Sequence, residues 1–130
     1  MTLNDPLSNA LSLILNAERV GKTQVIIKPT STLIKAVLDL LKDNHYLGAY
    51  TEVQDGRGNH LILNLLGRIN KCGSIKPRYP VTINDYEKFE KRYLPAKDFG
   101  VLILSTPKGL MIHNNAKKQK IGGRLLAYCY

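Results

Sequence analysis

KIGGRLLAYCY, residues 120–130, is the stretch of sequence that most restricts the fold. Its apolar residues alternate in two sets, Leu125, Ala127 and Cys129 against Leu126, Tyr128 and Tyr130. Alternation of this kind is typical of a β-strand with both faces covered, and the two glycines before it mark a change of direction. The pattern predicts a final strand that is paired within a sheet.

The segments before this strand complete a half that is mostly β with short helices. Strand-like sequence covers residues 69–76, a proline-containing connection runs through Pro77 and Pro80, and a short charged helix is predicted for 85–93. The continuous apolar run at 101–104 suits a strand buried on both faces. A turn at 107–109, a short strand at 110–112 and one or two helical turns at 115–120 follow, with the glycine pair expected to stop that helix.

The first half has the order α-β-α-β-β. Helical spacing of leucine and isoleucine predicts a helix over about 5–19, with Asn4 and Pro6 at its start, and a second apolar stripe predicts a helix from Thr30 or Ser31 to about 43. Strands are predicted at 24–28, 47–54 and 60–66, the last two joined as a hairpin through DGRGN. The fold class is therefore α/β (α+β) with two small subdomains, residues 1–67 and 68–130.

Charge is distributed unevenly between these halves. Residues 1–67 hold six cations and six acids, whereas residues 68–130 hold 13 cations and four acids and so carry the whole net charge of +9. From Lys108 onward there are five cations and no acid. A field of this sign favours a polyanion, a nucleic acid or an anionic membrane surface, although a face that serves solubility alone has the same composition.

The chain lacks the residues that several classes of function require. Gly21-Lys22-Thr23 resembles the end of a phosphate-binding loop, but Asn16 stands where that loop requires a glycine. His45, His60 and His113 lie far apart at no metal-ligand spacing, so surface or capping roles are expected, and Phe99 is expected in the core. We predict no catalytic residues, no metal, no cofactor and no small-molecule substrate.

The expected location is the cytoplasm. Cys72 and Cys129 form no C-x-x-C motif, which favours reduced, structural thiols. The first residues lack a basic leader, and the apolar runs are much shorter than the ~20 residues of a membrane span.

Ser105-Thr106-Pro107-Lys108-Gly109 places two hydroxyls and a cation directly after the buried strand. Short hydroxyl side chains on a rigid sheet can enter the shallow minor groove of A-form RNA, and nearby lysines can hold phosphates. The same residues are also common in an ordinary turn and helix cap, and spacing leaves both interpretations open.

Several segments resemble the small-ribosomal-subunit protein of the S-eight family in order and spacing. They are DPLSNALSLILNAERVGK (5–22), GRINKCGSIKPRYPV (67–81), KRYLPAKDFGVLILSTPKGLM (91–111) and KIGGRLLAYCY. The long connection between the second and third segments and Arg124 after the glycines resemble the archaeal and eukaryotic branch. The resemblance implies a ribosome-associated structural protein, not an enzyme, that binds the central domain of small-subunit rRNA early in assembly and contacts neighbouring small-subunit proteins.

The resemblance also implies positions for the RNA-binding residues. The family's S-T-S-x-G loop corresponds to residues 105–109, with Pro107 in place of the usual serine, and its glycine pair corresponds to Gly122 and Gly123. Ile112 replaces a small capping residue, so a weaker helix start is expected. The expected RNA-binding set is Ser105, Thr106, Pro107, Lys108, Gly109, Asn114, Asn115, Lys117, Lys118, Lys120, Gly122, Gly123 and Arg124, with Asn16 at the periphery.

A protein-interaction or membrane-surface module is the alternative use of the same charge. A membrane-binding helix requires large apolar residues on the face opposite its cations. The AKKQK segment, residues 116–120, lacks that apolar face. The sequence therefore favours RNA over a membrane.

Overall fold

The computed structural model describes residues 6–27, 32–56, 58–75, 78–96 and 99–130. They divide into two compact units, Met1–Asn70 and Lys71–Tyr130, with one sheet in each. The mixed helix and sheet content confirms the predicted α+β class.

The N-terminal unit has the predicted order of elements. It contains α1 (Pro6–Arg19), β1 (Gln24–Ile27), α2 (Thr32–Asp43), β2 (Leu47–Asp55) and β3 (Gly58–Leu65). The strands form an antiparallel sheet in the order β1-β3-β2. Both helices bury the stripe that predicted them, including Leu11 and Ile14 of α1 and Val37 and Leu41 of α2. The residues predicted to cap these helices, Asn4, Thr30 and Ser31, lie outside the described residues.

The C-terminal unit is built around its last strand. It contains β4 (Cys72–Ser74), β5 (Pro80–Val81), α3 (Tyr86–Tyr93), β6 (Val101–Thr106), β7 (Gly109–Ile112), α4 (His113–Gln119) and β8 (Gly123–Cys129). The strand order is β4-β8-β6-β7, and β5 also pairs with β8. The prediction that the chain ends in a paired strand is therefore confirmed.

The core of this unit lies between α3, α4 and the sheet. Val101, Leu102, Ile103 and Leu104 of β6 are all buried, as their apolar run predicts. Tyr86 and Phe89 of α3 pack into the same cluster as Leu102, Leu104 and Leu125.

Three local expectations were wrong. The strand predicted over 69–76 is only three residues long, and the proline-containing connection holds the additional strand β5. Phe99, expected in the core, is 49% exposed. Its exposure fits a position outside the named strands, in an isolated bridge with Ala96.

Candidate nucleic-acid interface

Three exposed residues form one row across the sheet of the C-terminal unit. Arg124 of β8 is the register partner of Ser105 of β6 on one side and of Pro80 of β5 on the other. Side chains of register partners project from the same face of a sheet, so the Arg124 guanidinium and the Ser105 hydroxyl are neighbours. All three residues are exposed, so a large ligand has access to them together.

The glycine pair allows these strands to approach one another. A Cβ on Gly123 would lie 2.5 Å from the carbonyl oxygen of Ser105, and a Cβ on Gly122 would lie 2.5 Å from that of Val81. Real Cβ atoms do not come so close to a backbone oxygen. In the fold, both glycines meet backbone atoms of neighbouring strands. The pair thus positions Arg124 beside Ser105.

The turn after β6 is held by the hydroxyl of Thr106. The Thr106 Oγ1–H donates to the carbonyl of Gly109 at 2.7 Å, and the Lys108 N–H donates to Thr106 Oγ1 at 3.2 Å. Pro107 and Lys108 occupy the exposed tip, and Gly109 has φ +112°, a conformation that favours glycine.

The two hydroxyls of this loop therefore differ in their surroundings. Thr106 is 8% exposed and uses its only proton inside the turn. Ser105 is exposed, and among the described residues its hydroxyl has no hydrogen bond. Of the two hydroxyls, that of Ser105 is therefore the one more accessible to a ligand.

Helix α4 carries the polar and basic residues between β7 and β8. Its start lacks a side-chain cap at Ile112, as expected, and places Asn114 half-buried and Asn115 exposed. Its end differs from the prediction, because Lys120 rather than a glycine adopts the left-handed conformation that ends the helix, with φ +56°. Lys120 is thus both a cation and a strained helix cap.

Lys117 is engaged within the protein. Its ammonium forms an ion pair with Oε1 of Glu90, a carboxylate whose side chain is 10% exposed. His113 Nε2 lies 3.4 Å from the same oxygen, and His113 Nδ1 accepts the N–H of Leu102 at 3.1 Å. His113 is 1% exposed, so of the expected surface and capping roles the surface role was wrong. It joins α4 to α3 and β6.

The described acids of the C-terminal unit form hydrogen bonds and ion pairs within that unit. Asp85, before α3, accepts the Thr82 hydroxyl at 2.9 Å and the Thr82 N–H at 3.3 Å, and these hydrogen bonds lower the pKa of its carboxyl. Glu87 pairs with Lys91 at 3.8 Å, as the i,i+4 spacing predicts, and Glu90 pairs with Lys117.

From Lys108 onward, four of the five cations are consequently left without an ion pair to any described acid. Lys108, Lys118, Lys120 and Arg124 are all exposed. They lie in the turn, on α4, at its end and at the start of β8, so they belong to one continuous part of the chain. This basic segment is suited to bind a polyanion.

Asn16 belongs to the other unit of the chain. It is exposed on α1 of the N-terminal unit, and its carbonyl oxygen accepts the N–H of Val20 at 3.3 Å.

Two features of the site were missed by sequence reasoning. One is the Glu90–His113–Lys117 cluster, which joins two helices and has no local spacing signal. The other is Arg92, whose guanidinium lies over the rings of Tyr79 at 5.3 Å and Tyr93 at 5.6 Å. Tyr93 is one residue further along α3 from Arg92, but nothing in the sequence indicates contact with Tyr79.

In the part of the chain that the structure describes, no three His, Cys, Asp or Glu residues gather as metal ligands. Within the same part, no helix combines the length and the apolar character that crossing a membrane requires.

The fold and the basic segment define a two-unit α+β protein with a candidate polyanion-binding face. The family model for ribosomal protein S8 matches residues 5–130, and the chain belongs to that family. It is therefore a small-subunit ribosomal protein that binds rRNA, associates with the ribosome and lies among other small-subunit proteins. The family is structural rather than enzymatic.

Proposed function

We propose that this protein binds the central domain of small-subunit rRNA directly, through the Ser105–Arg124 row and the cations around it, and that this binding supports subunit assembly in the cytoplasm. The observation that carries the proposal is that an exposed serine and an exposed arginine are register partners on neighbouring strands. Neighbouring small-subunit proteins are its further partners.

The residues of the row suit different parts of an RNA ligand. The Ser105 hydroxyl can donate to a 2′-hydroxyl or to a base edge in the minor groove. The Arg124 guanidinium, one strand away, can bind the adjoining phosphate or ribose. Lys108, Lys118 and Lys120 add phosphate contacts that attract RNA of any sequence.

The other residues of the predicted set have supporting roles in this proposal. Thr106, Pro107 and Gly109 shape the turn, and Gly122 and Gly123 let the strands approach. Asn114 and Asn115 offer amides from the first turn of α4, and Asn16 contributes at the periphery from the N-terminal unit. Lys117 contributes less charge than its neighbours because Glu90 partly neutralises it.

We further infer that the protein belongs to the archaeal and eukaryotic-type branch of the family. The support is the long connection from residue 67 to residue 100 and Arg124 after the glycine pair. Arg124 then lies in the row itself, so this branch would place a cation beside the loop serine.

The test is a filter-binding titration with a transcript of the rRNA central domain and a transcript of the 5′ domain of equal length. We expect the wild type to bind the central domain more tightly. Ser105→Ala should weaken that binding by about fivefold or more, since a partner left unsatisfied costs about 1–3 kcal/mol. The 5′ domain should bind both proteins equally. Equal affinity of the wild type for both transcripts would contradict the proposal.

Anionic vesicles provide the control for the alternative. A membrane-surface module would bind vesicles containing acidic phospholipid at the salt concentration that leaves the rRNA complex intact. We expect no vesicle binding under that condition.

A further inference from the structure

The only two cysteines of the chain are opposite each other in the sheet of the C-terminal unit. Cys72 of β4 is the register partner of Cys129 of β8, and both are buried cysteines outside any disulfide, at 4% and 0% exposure. Their separation in sequence gives no indication of this pairing.

Backbone hydrogen bonds show which type of pair they form. The Lys71 N–H donates to the Tyr130 carbonyl at 2.9 Å, and the Tyr130 N–H donates back to the Lys71 carbonyl at 2.8 Å. Residues 71 and 130 are therefore a hydrogen-bonded pair, and the next pair along the ladder, Cys72 with Cys129, is a non-hydrogen-bonded one.

Non-hydrogen-bonded partners have the closest side chains in an antiparallel sheet. Their Cα atoms lie about 4.5 Å apart, within the ~4.4–6.8 Å range that a disulfide spans. The two Cβ atoms project from the same face, so a bond between the sulfurs requires no change in the register of the two strands.

β4 has the features of a strand that is suited to local opening. It has only three residues, and it lies at the edge of the sheet, paired with β8 alone among the described strands. Native proteins open locally at free energies that range from near zero up to the global value, and a short strand bonded on one edge has few hydrogen bonds to break. Such opening gives a small oxidant access to thiols that are otherwise buried.

We propose that Cys72 and Cys129 are a redox modification site, at which a peroxide converts the two thiols to a reversible cross-strand disulfide. Hydrogen peroxide oxidises one thiolate to a sulfenic acid and releases water. The second thiolate attacks that sulfur and displaces hydroxide, which leaves as water after protonation. Two thiols and one peroxide thus yield one disulfide and two waters.

The bridge would fix β4 to β8 and close a covalent loop of the chain from residue 72 to residue 129. This loop includes the Ser105–Arg124 row. Cross-linking of a long loop restricts the unfolded chain, so the oxidised protein should unfold at a higher temperature by at least about 5 °C. This inference is independent of the RNA-binding proposal, because its readout involves no RNA.

The experiment treats the reduced full-length protein with hydrogen peroxide under native conditions. We expect loss of both thiols in a thiol titration, a monomer on non-reducing gels, and one linked pair of tryptic peptides containing Cys72 and Cys129. Dithiothreitol should restore both thiols and the original melting temperature.

A displaced thiol provides the matched control. In the double variant Cys72→Ser with Ser74→Cys, the β4 thiol is moved to a position diagonal to Cys129, about 7–8 Å away between Cα atoms. This variant should form the intramolecular bridge at least tenfold more slowly than the wild type, with circular dichroism to verify folding.

Three results would overturn the proposal. They are thiols that react only in denaturant, disulfides that link two molecules, and sulfinic acid without a bridge. Each can be seen with the wild type alone, so the test does not depend on the folding of a variant.

Discussion

Ser105 and Arg124 are direct register partners on β6 and β8, and both side chains are exposed on one face of the sheet. The relationship depends on Gly123, because a larger residue there would meet the Ser105 carbonyl oxygen. Two residues 19 positions apart in the chain thus form one surface only because the residue before Arg124 has no side chain.

Gly123→Ala should destabilise the free protein. Its Cβ would lie 2.5 Å from a backbone oxygen and 3.0 Å from Cγ2 of Thr106, so β8 must shift away from β6. We expect a loss of about 1–3 kcal/mol in urea unfolding. Gly56→Ala, where nothing lies within 4 Å of the new Cβ, is the matched control and should change stability by less than about 0.5 kcal/mol. Equal stabilities of the two variants would show that the strands adapt freely.

Thr106→Val should affect folding more than recognition. Valine keeps the branched shape but removes the hydrogen bonds to Gly109 and Lys108, which are left unsatisfied at a partly buried turn. We expect about 1–3 kcal/mol less stability in denaturant unfolding.

Ser105→Ala is the complementary variant for that turn. It should leave the unfolding curve within about 0.5 kcal/mol of the wild type, because its hydroxyl has no bond within the described residues. Its effect should appear in specific RNA affinity instead. The opposite result would be a stable Thr106→Val with reduced RNA affinity, together with a Ser105→Ala of unchanged RNA affinity. It would identify Thr106 as the recognition residue.

Substitutions of the two lysines of α4, Lys117 and Lys118, should differ in their effect on the salt dependence of RNA binding. Lys118→Gln removes a cation with no described acidic partner, so the slope of log affinity against log salt should decrease by about 0.7–0.9 if one phosphate contact is lost. Lys117→Gln should change that slope less and reduce stability more, since it leaves the buried Glu90 carboxylate beside His113 without its cation. Filter binding across a salt series and thermal unfolding distinguish the two, and equal slopes for both variants would mean that Glu90 does not restrain Lys117.

Most elements could be predicted from the sequence because their signals are local. The alternation after Gly123 and the apolar run at 101–104 each identify a strand without reference to the rest of the chain. The site depends instead on which strands are neighbours. The Cys72–Cys129 pair follows from strand order and register, and the burial of His113 follows from its contacts with Glu90 and Leu102; no local pattern specifies either. The Thr106 hydroxyl, by contrast, bonds within its own turn, which is one of the two interpretations that the local spacing left open.

Lys120→Gly should raise stability while it lowers RNA affinity. Lys120 ends α4 with φ +56°, and a residue with a Cβ is strained there, so glycine should stabilise the protein by up to about 1 kcal/mol. The same change removes an exposed cation, which should weaken binding to specific and unrelated RNA alike and lower the salt slope. A gain in folding and a loss in binding from one substitution cannot be explained by misfolding.

His45→Gly is the matched control for this exchange. His45 has φ +67° after α2 in the N-terminal unit, where its N–H donates to the carbonyl of Lys42 at 3.0 Å. Glycine should relieve the same strain and give a similar gain in stability, with no change in RNA affinity or salt slope. Urea unfolding and filter binding of both variants provide the comparison. If Lys120→Gly bound RNA as tightly as His45→Gly, Lys120 would be a helix cap alone, and the contact surface would be restricted to the turn, Lys118 and Arg124.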